Sequence, residues 1–386
     1  MLTGDLDLET LIRFRRDIHS HPELARQEIR TTAAVADMLR SAGLEPRVFP
    51  TGTGLVCDIE GTDGPTVGLR ADMDALPILD AKDVPYRSQN TGVCHACGHD
   101  VHTTVLVGTA LELAKRRQHL PGRIRLVFQP AEESSSSGAL DMIAGGAIDG
   151  VDVIYALHCD PSRKVGDVGI RTGAITSAQD HMVLRLHGKG GHSARPHLTV
   201  NPINALASVI ARLSESVNES LEPHQRVLLG FGIIQAGEAA NVIPSRAQAA
   251  GTVRIPNADI WEQIPSIVQK SLTELIEPFG VEWELDYNRV CPAVVNDAVA
   301  TKILYNSALA VCGEEHVQEA PQSLGGEDFA WYLRQVPGAL FRLGVTHPDA
   351  EDHVDLHNDR FDVDERAIGV GIRMFVETAM NALRSY

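Results

Sequence analysis

The sequence predicts an α/β protein: a central, mostly parallel sheet with helices on both faces, interrupted by a smaller α+β unit. Three observations predict it. Short apolar runs alternate with helical stretches over the first 158 residues. The middle third follows the order strand, helix, strand, strand, helix, strand, and helix–strand alternation resumes towards the C-terminus. Alternating strands and helices build layered sheets, and the order in the middle third is that of a ferredoxin-like unit. The expected domains are a discontinuous one, residues 1–176 and 290–386, and an inserted one, residues 177–289.

Each element has its own signal. Leu8, Leu11, Ile12 and Ile18 share one helical face, and a second helix runs from Ile29 to Leu39, closed by Gly43. Leu55–Ile59 and Thr66–Ala71 are short apolar runs beside glycine, as buried strands are. Asp100 to Arg117 reads as helix, Arg123–Gln129 as strand, Ala139–Ala144 as helix, and Val151–His158 as a strand that His158 ends. In the insert, Met182, Leu184 and Leu186 alternate with polar residues, so 181–188 is a strand. A helix bearing Ile203, Leu206, Ile210, Leu213 and Val217 follows, then strands near 226–235 and 246–254. A helix from Ile260 to Ile276, N-capped by Asn257, and a strand near 281–287 close the insert. Asn296–Val311 gives a helix, Ala339–Leu343 a strand, and the stripe Ile368, Ile372, Phe375, Val376, Ala379 and Leu383 the last helix.

The chain has 386 residues, 44% of them apolar, enough for more than one core. A net charge of -17 repels phosphate backbones and anionic lipid, which argues against nucleic-acid and membrane partners. Met1 to Arg16 is mixed polar and charged, so no secretory signal is expected there, and no apolar run reaches the length of a membrane span. Six cysteines in this length suit free thiols in a reducing cytoplasm.

The chemistry concentrates in a few segments. His95-Ala-Cys-Gly-His-Asp-Val-His102 places three histidines, a cysteine and an aspartate just before a helix. Cys97 and His99 are two apart, so on an extended loop they point the same way. Thiolate with imidazole suits zinc, cobalt, nickel or manganese better than magnesium or calcium. Cys94 and Cys97 form a CxxC, but the second pair of a zinc ribbon is absent. Pro130-Ala-Glu-Glu133 follows a buried strand. By itself such a pair is a solvated turn; in that place one carboxylate can bind a metal while its neighbour takes a proton from water. His158 ends the next strand, and Asp72 and Asp74 follow another, as expected of a site at the C-terminal ends of parallel strands. In the insert, Gly190-Gly-His-Ser-Ala-Arg-Pro-His197 is a glycine-rich turn with two histidines, and Arg254 is suited to a substrate carboxylate. Gly325-Gly-Glu-Asp-Phe329 carries no reading alone, whereas His357, in Asp355-Leu-His-Asn358 before the last helix, could complete the set of strand-end ligands.

These segments, with Arg15-Arg-Asp-Ile-His19-Ser-His-Pro-Glu23, Arg70-Ala-Asp-Met-Asp74-Ala-Leu-Pro77 and Asn241-Val-Ile-Pro244, occur in an order that resembles the aminoacylase/carboxypeptidase family of metallohydrolases. The nearest branch holds hippurate hydrolases, auxin-conjugate hydrolases and bacterial N-acyl-amino-acid amidohydrolases. The resemblance spans about His19 to His357 and implies a zinc-exopeptidase-like fold with a lid domain. It implies two divalent metal ions (zinc, manganese, cobalt or nickel) on Cys97, His99, Glu133, His158 and His357, and Glu132 as the proton carrier. It implies that Asp74 orients a metal-site histidine, although Asp72 stands where the family often has that histidine. His192 resembles a lid histidine that steadies the oxyanion in the partner subunit, and Asn241 and Arg254 resemble substrate-contacting lid residues. Homodimerisation through the lid is implied too. Ser134–Ser137, Cys94 and Asn201 depart from the common pattern without removing a ligand.

The expected activity is therefore metal-dependent hydrolysis of the amide bond in N-acyl amino acids or very small peptides. The alternatives are a non-catalytic, metal-holding binding protein, which would be expected to lack Glu132 or a ligand, and a serine hydrolase, for which no Gly-x-Ser-x-Gly elbow exists.

Overall fold

The computed structural model describes residues 7–386. They form two compact units, one of residues up to Ile175 with Val295–Pro321 and Asp328–Tyr386, the other of Thr176–Val294 with Gln322–Glu327.

The first unit is built on an eight-stranded sheet. Its order is Arg47–Val48, Leu55–Glu60, Arg123–Gln129, Thr66–Asp72, Val153–Lys164, Gly338–Thr346, Val168–Ile170, Val317–Glu319. The four strands from Arg123–Gln129 to Gly338–Thr346 are parallel, and antiparallel pairing lies towards the margins. Every residue of Thr66–Asp72 is buried, as in parallel strands covered on both faces. Helix His99–Ala114 is buried around nearly its whole circumference, against helices Leu8–Ser20, Ile29–Ser41 and Arg366–Ser385 and the sheet. Gly108 permits this approach, because a Cβ there would lie 2.3 Å from Ile372 Cδ1 and 2.9 Å from Leu11 Cδ1.

Several boundaries differ from expectation, two of them in elements that carry candidate site residues. The helix expected to reach Arg117 stops at Ala114, and a short 3-10 turn, Arg117–His119, follows. The strand expected to end at His158 continues to Lys164, paired with Gly338–Thr346. Residues 160–164 are mostly polar and include Pro161, so they read as loop; pairing with a strand from the far end of the chain overrides that local signal.

The second unit is an antiparallel sheet in the order Leu228–Ala236, Arg246–Ile255, Ala178–His187, Glu282–Cys291. Helices Pro202–Glu219 and Ile264–Ile276 bury Met182, Leu184 and Leu186, while the alternating Val183, Arg185 and His187 stay half-buried. Asn257 caps a 3-10 turn, Ala258–Gln263, rather than the α-helix, which begins at Ile264. Pro265 lacks an N–H and fits only the first helical turn, which fixes that start. Among the described residues no helix is long and apolar enough to cross a membrane.

Candidate metal centre

Strands Thr66–Asp72 and Arg123–Gln129 end level with each other, Asp72 opposite Gln129. The loops beyond them carry Asp74 and Glu132–Glu133. Segment 94–98 enters helix His99–Ala114 through Gly98, whose φ of +84° is left-handed. A Cβ there would sit 2.8 Å from Cys159 Sγ, so conformation and space both require glycine. Cys97 and His99 therefore converge across a left-handed turn, not along an extended loop.

The donor atoms of Cys97, His99 and His158 lie within 4.8 Å of one another, and so do those of Cys97, Glu133 and His357. The two groups share Cys97. Cys97 Sγ is 3.5 Å from His158 Nε2, and His357 Nε2 is 3.1 Å from Glu133 Oε1. A tetrahedral cation with bonds of about 2.3 Å to sulfur and about 2.0–2.1 Å to nitrogen spaces its ligands by about 3.3–3.6 Å. The carboxylate of Glu132 falls within 4.8 Å of the donor atoms of His99 and Glu133.

Hydrogen bonds decide which imidazole nitrogens face this space. His99 Nδ1 meets the Asp74 carbonyl at 2.9 Å and His158 Nδ1 the Cys159 carbonyl at 2.8 Å. Each bond turns Nε2 of its ring towards the cluster, the usual arrangement behind a ligand histidine. His102 is different: its Nε2 accepts the Cys159 N–H at 2.8 Å, so its Nδ1 donates to Asp72 Oδ1 at 2.6 Å and no ring atom is left for a cation. Buried His99 Nε2 has no hydrogen-bond partner, and Glu133 Oε1, although 3.1 Å from His357 Nε2, makes no well-aligned hydrogen bond. Such orphaned atoms are costly, and a cation at this place would satisfy them, so the donor set fits a divalent metal.

The electrostatics agree. Burial opposes charge on His99, but Asp72, then Asp74 and Glu133, overcome it and raise the imidazole to about 10. Burial, with Arg342 and His102, pushes His158 down, leaving it neutral. Burial and the Glu133 and Glu132 charges push the Cys97 thiol up. Binding of a cation must therefore displace protons from Cys97 and His99. Against its own burial, Asp72 is held well below the carboxylate range by His99, Arg70 and His102.

Asp74 has a role the sequence did not reveal. Its carboxylate accepts the backbone N–H of Glu132 at 3.0 Å and of Glu133 at 2.9 Å, while its carbonyl orients His99. It therefore sets the turn that aims both glutamates. The same turn forces Ala131 to a left-handed φ of +56°, about 1–2 kcal/mol of strain for a residue with a Cβ. Glu28 Oε1 holds it by accepting Ala131 N–H at 2.8 Å and Arg26 N–H at 2.9 Å. Burial raises Glu28 from 4.5 to about 7, and the Asp74 charge adds to the rise. An acid whose folded value lies above its unfolded one stabilises the fold fully below the unfolded value, and loses that contribution as pH rises through the folded value. Stability of the metal-free protein is expected to fall by about 2–3 kcal/mol between pH 4.5 and 7 on this account. Urea unfolding across that range should show a weaker fall for Glu28→Gln.

Beneath the site, Arg70 joins Asp72 Oδ2 at 2.8 Å, Gln129 Oε1 at 2.9 Å and Asp328 Oδ1 at 2.9 Å. Asp328 also accepts from Ser137 Oγ at 2.7 Å and Ala139 N at 3.1 Å, at the start of helix Gly138–Ala144. This accounts for Asp328 in the Gly325–Phe329 segment, which the sequence alone does not explain. His102 was also missed as a supporting residue; its signal was its place three residues after His99, on the same helical face.

In the second unit, exposed His192 pairs with Val242 across a two-stranded ribbon, and its Nδ1 accepts Ala194 N–H at 3.1 Å. The Asn241 carbonyl accepts Ser193 N–H at 3.1 Å. Arg254 is half-buried, and its guanidinium donates to Gln179 Oε1.

Residues 68–381 match the model of Peptidase family M20/M25/M40. The chain is 34% identical over 377 residues to the N-acetylcysteine deacetylase of Bacillus subtilis (strain 168), covering 97% of each. It is 45% identical over 372 residues to a Rhodococcus jostii (strain RHA1) protein provisionally named glutamate–cysteine ligase 2-3; that match covers 96% of this chain but 46% of the relative, so the chain spans about half its length. Among solved structures, a Bacillus subtilis dinuclear metal binding peptidase of the M20 family superposes with a TM-score of 0.86 at 31% identity, covering 98% of this chain and 99% of that one.

Proposed function

The chain belongs to peptidase family M20/M25/M40, and from that premise we propose that it hydrolyses the amide bond of N-acyl amino acids at two divalent cations. Cys97, His99 and His158 would hold one, and Cys97, Glu133 and His357 the other. The observation that carries this reading is the pair of donor groups sharing Cys97, with the Glu132 carboxylate beside them on the same turn. The thiolate, imidazole and carboxylate set suits zinc, manganese, cobalt or nickel.

The cations, when bound, supply Lewis acidity that acidifies water and polarises the scissile carbonyl. Glu132 takes the proton of the attacking water and passes it to the leaving amine. Asp74 keeps Glu132 and Glu133 in register through their backbone N–H groups. His192 donates to the developing oxyanion, from the partner subunit, and Asn241 and Arg254 receive the substrate, Arg254 by its carboxylate.

Homodimerisation through the second unit is part of the reading. Strand Leu228–Ala236 is one of the two edges of its sheet and exposes Leu228, Ile233 and Ile234 at 57%, 52% and 56%, and an apolar edge is protected when a second copy pairs with it. A cytoplasmic location agrees with six free cysteines.

The test is a panel of N-acyl amino acids, N-acetylcysteine included because a relative's name points to it, incubated with protein of measured metal content. Release of free amino acid, abolished by chelation and restored by metal, is expected. No turnover on any substrate with two ions bound per chain would favour a metal-holding binding protein.

A further inference from the structure

The early motif Arg15 to Glu23 has no part in the mechanism, yet its polar Arg15, His19 and Ser20 are buried. Arg15 and His19, on helix Leu8–Ser20, are 1% and 0% exposed. Arg15 Nε lies 2.6 Å from Asp100 Oδ2, and His19 Nδ1 meets the same oxygen at 2.7 Å. The rest of the guanidinium reaches a third segment: Nη2 is 3.2 Å from Asp362 Oδ1 and Nη1 is 3.5 Å from Glu365 Oε1. The Tyr86 hydroxyl donates to Asp362 Oδ2 at 2.7 Å, and the Tyr86 ring lies under the guanidiniums of Arg15 and Arg16 at 5.1 and 4.9 Å. Tyr86 sits on a loop folded about Asp80, which accepts Lys82 N–H at 3.1 Å and Ser88 N–H at 2.9 Å and pairs with the Lys82 ammonium at 3.0 Å.

The network ends on the segment that carries His357. Unlike buried Cys97, His99 and His158, the His357 side chain is 52% exposed, so packing does not hold it. Its backbone is left-handed, with φ of +60°, a strained state for a non-glycine residue that the surroundings must impose. Three attachments follow along the segment. His357 N–H donates to the Ala96 carbonyl at 2.7 Å, the Asp359 carbonyl accepts Ala81 N–H at 2.9 Å, and Asp362 is clamped by Arg15 and Tyr86. The other cation position is supported separately, by the Asp74 and Cys159 carbonyls behind His99 and His158.

We infer that Tyr86 is a positioning residue for His357: with Arg15 it acts through Asp362 to hold the segment so that the imidazole faces Glu133, and this Tyr86–Asp362 arm sets the affinity of the Cys97–Glu133–His357 position alone. This rests on the ligand reading above. Removing Arg15 would take the guanidinium from buried Asp100, leaving it His19, and endanger the fold. Tyr86→Phe and Asp362→Ala leave the Arg15–Asp100 pair in place and are the variants of choice.

The experiment titrates metal-free wild type, His357→Ala, Tyr86→Phe and Asp362→Ala with Co²⁺ against a competing chelator. It reads ions per chain, each dissociation constant, and the thiolate-to-cobalt absorption of Cys97. Wild type should bind two ions and His357→Ala one. Tyr86→Phe and Asp362→Ala should bind one ion as wild type does and the second about tenfold to a hundredfold more weakly, the usual cost of losing a supporting partner. Both constants unchanged in these two variants, or both weakened equally, would overturn the inference. Fewer than two ions on wild type, or two retained by His357→Ala, would instead overturn the ligand reading.

Discussion

Glu132→Gln is expected to keep the full complement of metal and to lose about 10²–10⁴-fold in kcat. The amide preserves the size of the side chain and leaves the backbone N–H of Glu132 on Asp74 Oδ1, so the turn and Glu133 keep their places. What disappears is the only function proposed for the side chain, carrying a proton from water to the departing amine. An amide cannot accept that proton, so the loss should fall on kcat, with KM little changed. Metal analysis and steady-state kinetics on the same preparation check this. Near-wild-type turnover would show that another group carries the proton.

Cys97→Ala should be more damaging still, because it takes a donor from both positions at once. Cys97 belongs to the group with His99 and His158 and to the group with Glu133 and His357, whereas each of those four residues serves one cation in the proposal. Removal of His357 is expected to cost one ion; removal of Cys97 should release both and abolish turnover. The void itself is small and the sulfur is already buried, so the metal-free variant should fold. Equilibrium dialysis against trace metal, with circular dichroism as the control for folding, tests it. Retention of one tightly held ion would mean that the sulfur is not shared.

Much of this was legible because ligand-type side chains are conspicuous by type and crowd into short segments. His95 to His102 and the Glu132–Glu133 pair announce themselves by residue type and by their place beside a helix start or a buried strand. His158 was legible as a residue but not as a position: its strand runs on to Lys164 only because Gly338–Thr346 pairs with it, and no local pattern reports a partner so distant. The work of Asp74 was hidden for a related reason. Its carboxylate binds backbone N–H groups of residues 58 and 59 positions away, and a backbone donor has no signature of residue type. Asp328 and Arg70 were silent in the same way, each acquiring meaning from partners in other segments.

Strand Gly338–Thr346 lies between Val153–Lys164 and Val168–Ile170, two strands joined by a tight turn. Their common neighbour is therefore synthesised about 170 residues after they are. At about 5–20 residues per second, a nascent chain leaves the ribosome with that slot open for about 8–34 s. During this time the strand bearing His158 presents unpaired N–H and C=O groups, a template for mispairing with other chains. Translation products that stop short of residue 338 can never fill the gap, and they should precipitate or depend on chaperones even though four of the five proposed ligands have already been made.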